Sequence, residues 1–315
     1  MNDDDPHGRI DASPPLSVLI ATRDRAVLLD RTLHSLLYGV EERPDEIVVV
    51  DGGRDATPRV VACYAAMGAP IRRVAVSNRG VSHARNQGFP FCTGWLVATV
   101  DDDVMVAPDW ARRVKAAHAA YPHAGGIGGH TLNEFPHVAA ARFEQARSFE
   151  VYGAGHVRPV RTVAGVNVSY KRAVMERAGL FDERLTSGED VDYNWRVAHA
   201  GYAILYDPSI VLTHHNRTSA RGVLRQQFWY GRGYRATRRK WPDLPSGPPR
   251  GLWGWKNWVK IVLFAADPLY QAWLFGRRAG TPRDCLLFAA LAFLSDLYWQ
   301  AGFLYEALRP WRARG

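Results

Sequence analysis

Three consecutive aspartates, Asp101-Asp102-Asp103, follow an apolar run, Trp95 to Val100, that reads as a strand. Carboxylates delivered together by a buried strand repel one another and raise each other's pKa. A divalent cation removes most of that penalty, and oxygen ligands suit Mg2+ or Mn2+. Mg2+ usually takes one or two carboxylates and completes its shell with water and phosphate oxygens, so the triplet suggests a metal–diphosphate site. A solvated acidic turn is the competing reading. A second acidic pair, Glu189-Asp190, opens a helical stretch. Acids there can simply cap the helix and offset its dipole. Alternatively, one of two adjacent carboxyls near a diphosphate has its pKa raised into the range of a general base toward an acceptor hydroxyl.

The elements that must position these groups alternate. Leu16 to Ala21 is an unbroken apolar run, as for a strand buried on both faces. Leu28, Leu29, Leu33, Leu36 and Leu37 then recur at helical spacing. Glu46 to Val50 is a second strand, ending in Asp51-Gly52-Gly53, and Pro58 opens a helix through Met67. Ile71 to Val76 reads as a third strand, Ser82 to Phe89 as a short helix, Trp95 to Val100 as the fourth strand and Pro108 to Ala120 as a helix. This order predicts an α/β fold with a mainly parallel sheet. Ligands of such sheets bind outside the carboxyl ends of the strands. Thr22, Asp51, Ser77-Asn78 and Asp101 to Asp103 each follow a strand end, so four polar clusters share one rim.

Beyond Gly125 the alternation loosens. Gly125-Gly126-Ile127-Gly128-Gly129 is glycine-rich but lacks the strand–GxGxxG–helix context of a dinucleotide loop. Arg161 to Tyr170 reads as strand, Lys171 to Ala178 and Val191 to Ala200 as helices, and Ile210 to Thr213 as a strand running into His214-His215.

A chain of 315 residues with 47% hydrophobic and 23% charged residues is globular. Its net charge of +9 favours anionic partners, but no RNP, zinc-finger or basic-zipper pattern supports nucleic acid. Cys63, Cys92 and Cys285 are too few and scattered for a disulfide framework or zinc cluster, which fits a reducing compartment. Met1 to Pro6 is acidic and has no apolar h-region, so it reads as a disordered lead-in and not a secretory signal.

Arg225, Arg232, Arg235, Arg238, Arg239 and Lys240 crowd one segment. They form a solvated helix face, contact a diphosphate through Arg225 or Arg232, or dock on anionic lipid. A linker, 242–249, precedes two apolar stretches, Trp253 to Phe275 and Cys285 to Leu308. Asp296 in the middle of the second would cost about 2.5–3.5 kcal/mol in a bilayer. These helices are therefore expected to pack on the catalytic domain or lie on a membrane in preference to spanning it.

Taken in order, the motifs resemble the family 2 glycosyltransferases of the GT-A fold. The resemblance rests on Val18 to Arg25 (VLIATRDR), Asp45 to Gly53 (DEIVVVDGG), Asn78 to Gly88 (NRGVSHARNQG) and Leu96 to Asp103 (LVATVDDD). It continues through Gly179 to Glu183 (GLFDE), Gly188 to Arg196 (GEDVDYNWR) and Arg225 to Gly233 (RQQFWYGRG). It implies a Rossmann-like, mainly parallel sheet flanked by helices, with a helical C-terminal extension. The domains expected are a lead-in over 1–15, a catalytic domain over 16–216 (nucleotide-sugar half 16–104, acceptor half 105–216) and a basic, aromatic region over 217–315.

The resemblance also implies roles. Thr22 and Arg25 would cradle the nucleotide, and Asp51 would hold a base with a ring N–H: uracil, thymine or guanine. Asn78 and Arg85 would approach base and phosphates, and Asp101 and Asp102 the ribose and diphosphate. Asp103 would hold Mn2+ or Mg2+, completed by His214 or, in competition, His215. Asp190 would be the general base in a direct, inverting displacement, with Glu189 beside it. The partners implied are a UDP-, GDP- or TDP-sugar donor and a glycan or lipid-linked acceptor, as in cell-envelope polysaccharide synthesis, at the inner face of a membrane or in the cytoplasm. Arg23-Asp24 replaces a common Tyr-Asn, and no clean Q-x-x-R-W segment is present, so single transfers are expected. The competing readings are a nucleotidyltransferase on a similar scaffold, which would release pyrophosphate, and a non-catalytic membrane-binding module.

Overall fold

The computed structural model describes residues 14–149, 153, 155–242, 266–276 and 282–309. The expected lead-in, nearly all of the linker and the first part of the apolar stretch beginning at Trp253 lie outside the described residues.

The chain divides into two compact units: the first comprises residues up to Glu134, Ser148–Glu183 and Glu189–His215, and the second Phe135–Arg147, Arg184–Gly188 and the chain from Asn216 onward. In the first unit, strands β1 (Leu16–Thr22), β2 (Glu46–Asp51), β3 (Ile71–Ala75) and β4 (Leu96–Asp101) pair in parallel in the order β3-β2-β1-β4. Their connections are helices α1 (Ala26–Tyr38), α2 (Thr57–Ala66) and α3 (Val81–Gly88). Successive side chains of a strand point to opposite faces, and both faces here are covered. Leu16, Val18 and Ile20 enter one buried cluster with Leu29, Leu33, Leu36 and Leu37 of α1. Leu19, Val48 and Val50 enter the other, with Ala84 and Phe89.

The sheet continues through β8 (Asn167–Lys171), β6 (Ala124–Asn133), β9 (Ala203–His214) and β5 (Val104–Val106), with β7 (Arg158–Pro159) pairing β9. Here antiparallel pairs (β4–β8, β6–β8, β5–β9) mix with one long parallel pair, β6–β9. Helices α4 (Trp110–Ala120), α6 (Arg172–Ala178) and α7 (Glu189–His199) complete this unit.

The glycine-rich run lies within β6. A Cβ on Gly128 would lie 2.5 Å from Val163, one on Gly126 would lie 2.7 Å from the Tyr170 ring, and one on Gly129 would lie 2.2 Å from the Ile210 carbonyl oxygen and 2.4 Å from the Asn167 amide nitrogen. These glycines admit neighbouring side chains and backbone to the sheet.

Three local readings are corrected. The strand expected over Arg161 to Tyr170 begins only at Asn167. Before it, side chains take the backbone groups a ladder would use: Asn194 Nδ2 donates to the Val163 carbonyl, and Gly165 gives its N–H to Asp190 and accepts from Thr99 Oγ1. The last strand starts at Ala203, not Ile210. Asp207-Pro208-Ser209 resembles a turn in sequence, but the strand passes through it as an irregularity, with the register against β6 shifting between Gly129 and His130 and Ser209 N–H bonded to Asp207. Proline inside a sheet is tolerated at such bulges. β5 was not expected, because three residues carry no readable period.

The second unit contains α5 (Ala139–Ser148, its last residue in the first unit), α8 (Ala220–Lys240) and a C-terminal helix, Pro282–Ala307. Phe143, Val223, Phe275, Phe288 and Leu291 form its core. A Cβ on Gly231 would fall 1.9 Å from the Trp299 carbonyl oxygen, and one on Gly302 2.0 Å from that of Phe228, so glycines set the close crossing of α8 with the C-terminal helix.

Gly129→Ala should therefore destabilise the protein by roughly 1–3 kcal/mol, the range for overpacking a filled core, read as a lower denaturant midpoint with an unchanged slope.

Candidate active site at the carboxyl ends of the strands

The parallel register places Thr22 opposite Asp51 and Ala21 opposite Asp101, so three strands end at one rim. Asp101 closes β4, and Asp102 and Asp103 form the turn into β5. Thr22 Oγ1 donates to Asp102 Oδ2 at 2.7 Å. The Arg25 guanidinium lies 2.8 Å from Asp102 Oδ1 and is also paired with Asp103. Burial pushes the Asp102 carboxyl up to about 6, although Arg25 and Thr22 favour its charged form.

β5 decides what faces the triplet. Its antiparallel pairing with β9 sets Val104 opposite His214, and the His215 N–H donates to the Asp103 carbonyl. Neighbouring residues of a strand point to opposite faces. His214 therefore turns to the acids, its Nε2 3.5 Å from Asp103 Oδ1, whereas His215 Nδ1 lies 2.7 Å from Glu134. Ligand atoms of Asp101, Asp103 and His214 lie within 4.8 Å of one another. Asp103 Oδ1 is a buried acceptor with no hydrogen-bond donor. Leaving such an atom unsatisfied costs about 1–3 kcal/mol, a penalty a cation would remove. The residues present thus fit a divalent metal, and the imidazole fits Mn2+ better than Mg2+.

Asp51 is buried. Arg73, which the sequence reading did not single out, donates from Nε and Nη2 to Asp51 Oδ2, both at 2.9 Å, while Gly53 N–H donates to Oδ1. Arg73 pairs in register with Val49, two residues before Asp51, so Arg73 and Asp51 lie on the same face of the sheet. Asn78 is exposed on the loop after β3, its Cα 3.8 Å from where a Gly52 Cβ would stand. Asp24 adopts a left-handed conformation, φ 54°, and its Oδ1 accepts the Arg54 N–H. Asparagine and aspartate are the residues that tolerate this conformation, which explains how aspartate fills the place of the more common asparagine.

Arg85 is buried and joins the two acidic groups. Its Nη1 lies 3.1 Å from Glu189 and its Nη2 3.4 Å from Asp101, with the guanidinium 5.4 Å from the centre of the Phe181 ring. Glu189 and Asp190 occupy the first turn of α7. Asp190 accepts from Gly165 N–H at 3.1 Å through Oδ2 and from Val191 N–H at 2.8 Å through Oδ1, which fixes its orientation. Burial and the neighbouring Asp190 push Glu189 up to about 7, against the pull of Arg85. The Gly179-to-Glu183 motif braces α3: Asn86 bonds the Phe181 backbone in both directions, and Glu183 accepts from Asn86 and lies 3.0 Å from His83.

Arg225 and Arg232 belong to the second unit. Arg225 is exposed, and Arg232 is held within its own unit by Glu306 at 3.0 Å and by the Trp229 ring at 4.5 Å.

The sequence profile described as Glycosyl transferase family 2 matches residues 17–175. A glucosyl-dolichyl phosphate glucuronosyltransferase of Haloferax volcanii is 25% identical over 248 residues, 72% of this chain and 79% of that protein. A pre-mycofactocin glycosyltransferase of Mycobacterium tuberculosis is 29% identical over 226 residues, 69% of this chain but 46% of that protein, so the chain spans about half of its length. Among solved structures, the mannosyltransferase PcManGT from Pyrobaculum calidifontis, in complex with GDP-Man and Mn2+, has a TM-score of 0.63 at 21% identity, covering 94% of this chain and 88% of that one, a likeness of fold. With the profile covering just over half of its length, the chain belongs to glycosyl transferase family 2.

Proposed function

We propose that the chain moves a sugar from a nucleoside diphosphate to an acceptor hydroxyl by direct, inverting displacement, with Asp190 as general base. The observation that carries this reading is the convergence of Asp101, Asp103 and His214, linked through Arg85 to the Glu189-Asp190 turn. One group suits a metal-bound diphosphate and the other a proton acceptor. The metal held by Asp103 and His214 would supply positive charge to the departing diphosphate. The Mn2+ of the Pyrobaculum mannosyltransferase supports this choice of ion.

The residues around it divide the work. Arg25 balances Asp102 and Asp103 and is half-exposed, so it is free to turn toward phosphate oxygens. Asp51, pinned by Arg73 and Gly53, presents a fixed carboxylate to a base with a ring N–H, and the Arg73 guanidinium beside it suits a base carbonyl. That pattern favours uracil, thymine or guanine over cytosine. Asp190 keeps lone pairs beyond those engaged by two backbone N–H groups, and with these it accepts the acceptor's proton as the hydroxyl oxygen attacks the anomeric carbon. The acceptor is a glycan or a lipid-linked sugar; the dolichyl phosphate in the name of the Haloferax relative supports the second.

A second reading has its own observation: Glu189, pushed up to about 7, is poised as a base near neutral pH. Its pairing with Arg85 instead assigns it to holding that arginine between the acid groups.

Asp190→Asn should lose about 10²–10⁴-fold in turnover, the range of general-base assistance, while donor binding survives; unchanged turnover excludes Asp190 as the base. In the same assay Glu189→Gln should fall less far, and the reverse order would favour Glu189. Asp103→Ala should abolish Mn2+-dependent binding of the donor nucleotide in calorimetry with and without the metal. Glu189 also makes stability depend on pH. Its folded pKa, about 7, is raised above the ordinary 4.5, so its contribution is complete below about 4.5 and lost as pH rises through about 7. Metal-free melting curves should therefore show Glu189→Gln gaining on the wild type over that window, by up to roughly 3 kcal/mol; parallel curves would show that Glu189 titrates normally.

A further inference from the structure

The C-terminal helix is inside out. Nine of its side chains are exposed over 284–307, and none is charged. Five are leucines, Leu286, Leu287, Leu294, Leu297 and Leu304. Tyr298 and Tyr305 lie among them, and the others are alanines. Leu286 is 79% exposed, and Leu308, just past the helix, 88%. At about 100° per residue these positions fall within one arc of roughly 120°. The helix's acids lie on the other side, each held within the second unit: Asp284 by Arg142 at 2.7 Å, Asp296 by Arg147 at 3.7 Å and Glu306 by Arg232 at 3.0 Å. The described helical segment 266–276 repeats the pattern. Its exposed residues are Ala266, Leu269, Tyr270 and Trp273, at spacings of three, four and seven from the first.

A helix facing water places its charges outward. This one reverses that rule over residues 284–307, about 36 Å of helix. A contiguous apolar face of that size marks a surface that meets something other than water. Its chemistry indicates what. Tyrosine, exposed on both segments, and tryptophan, exposed at Trp273, favour the headgroup level of a bilayer. One end carries cations: Arg309 is exposed, and Arg239 donates to the Ala307 and Arg309 carbonyls from the last turn of α8, beside Arg238 and Lys240. Basic residues beside an apolar face suit anionic headgroups, at about 1 kcal/mol each.

We propose that this face of the second unit docks on an anionic lipid bilayer, with the C-terminal helix lying in the plane of the interface. By length and composition the helix could also cross a membrane. Its partner helix opposes that. Through Gly231 and Gly302 it is in backbone contact with α8, which bears seven arginines and lysines that a span would draw into hydrocarbon. The sequence expectation had these helices pack on the catalytic domain or lie on a membrane; the inference specifies which face does so and the kind of lipid surface it meets, and it does not depend on the chemistry assigned to Asp190.

The test is flotation of the whole protein with vesicles of phosphatidylcholine alone or mixed with phosphatidylglycerol, at low and high salt. Wild type should float with the mixed vesicles, more at low salt. Combined substitution Leu286→Glu, Leu297→Glu and Leu304→Glu should lower partition by about a hundredfold or more, given the apolar area removed. Should that variant fold poorly, Leu286→Ser alone, at the most exposed helical position, should still lower it several-fold. Arg309→Glu should weaken the preference for phosphatidylglycerol several-fold and leave the apolar binding. Wild type that stays unbound, or binds as its leucine variants do, overturns the proposal. So does sedimentation showing a lipid-free dimer that the leucine substitutions dissolve, because a second copy would then cover the face. Metal-dependent nucleotide binding, measured in parallel, reports on the active site independently.

Discussion

Like charge gathered at the ends of parallel strands is the constraint that organises the first unit. Asp51, Asp101, Asp102, Asp103, Glu189 and Asp190 belong to one unit, most of them at one rim and partly or wholly removed from water. Such a group is stable only when each carboxylate has a counter-charge, a donor or a proton. The structure supplies all three. Arg25, Arg73 and Arg85 each take two partners or bind one in two places; Thr22, Gly53, Gly165 and Val191 donate hydrogen bonds; and Asp102 and Glu189 shift toward their protonated forms. Asp103 Oδ1 is left over, and that remainder points to a cation.

The less regular parts of the fold serve this arrangement. The irregular segment before β8 gives up ladder pairing, and its Gly165 N–H orients Asp190. The antiparallel pair β5–β9 carries His214 to the triplet. The glycines of β6 let Val163 and Asn167 approach closely, and Asn167 ties β6 to β9 by donating to the carbonyls of His130 and Ile210. The second unit solves its own charge problem in the same manner, pairing each acid of the C-terminal helix inward and leaving leucine outside.

Most of the parallel part of the sheet, residues 16–104, was legible in the sequence, because it is built from local signals. Apolar runs buried on both faces, leucines at helical spacing and acids just past strand ends need no knowledge of distant contacts. The strands β1 to β4 and the helices between them accordingly lie within a residue or two of where the pattern puts them. Family membership was also legible, through the order of motifs from Val18 to Gly233.

Tertiary structure alone decided the rest. Which of His214 and His215 faces the acids depends on the register of β9 against a three-residue strand too short to show a period. The partnership of Arg73 with Asp51 depends on adjacent parallel strands, and the bridge from Asp101 through Arg85 to Glu189 spans parts of the chain about a hundred residues apart. The outward face of the C-terminal helix was hidden for the same reason: composition marks it as apolar, but only the packing of α8 and α5 shows which side is covered. Sequence determines periodicity and local charge because these are properties of neighbours along the chain. Pairing between distant residues and exposure of a given face are properties of the assembled fold, which alone decides which side chains meet and which face water.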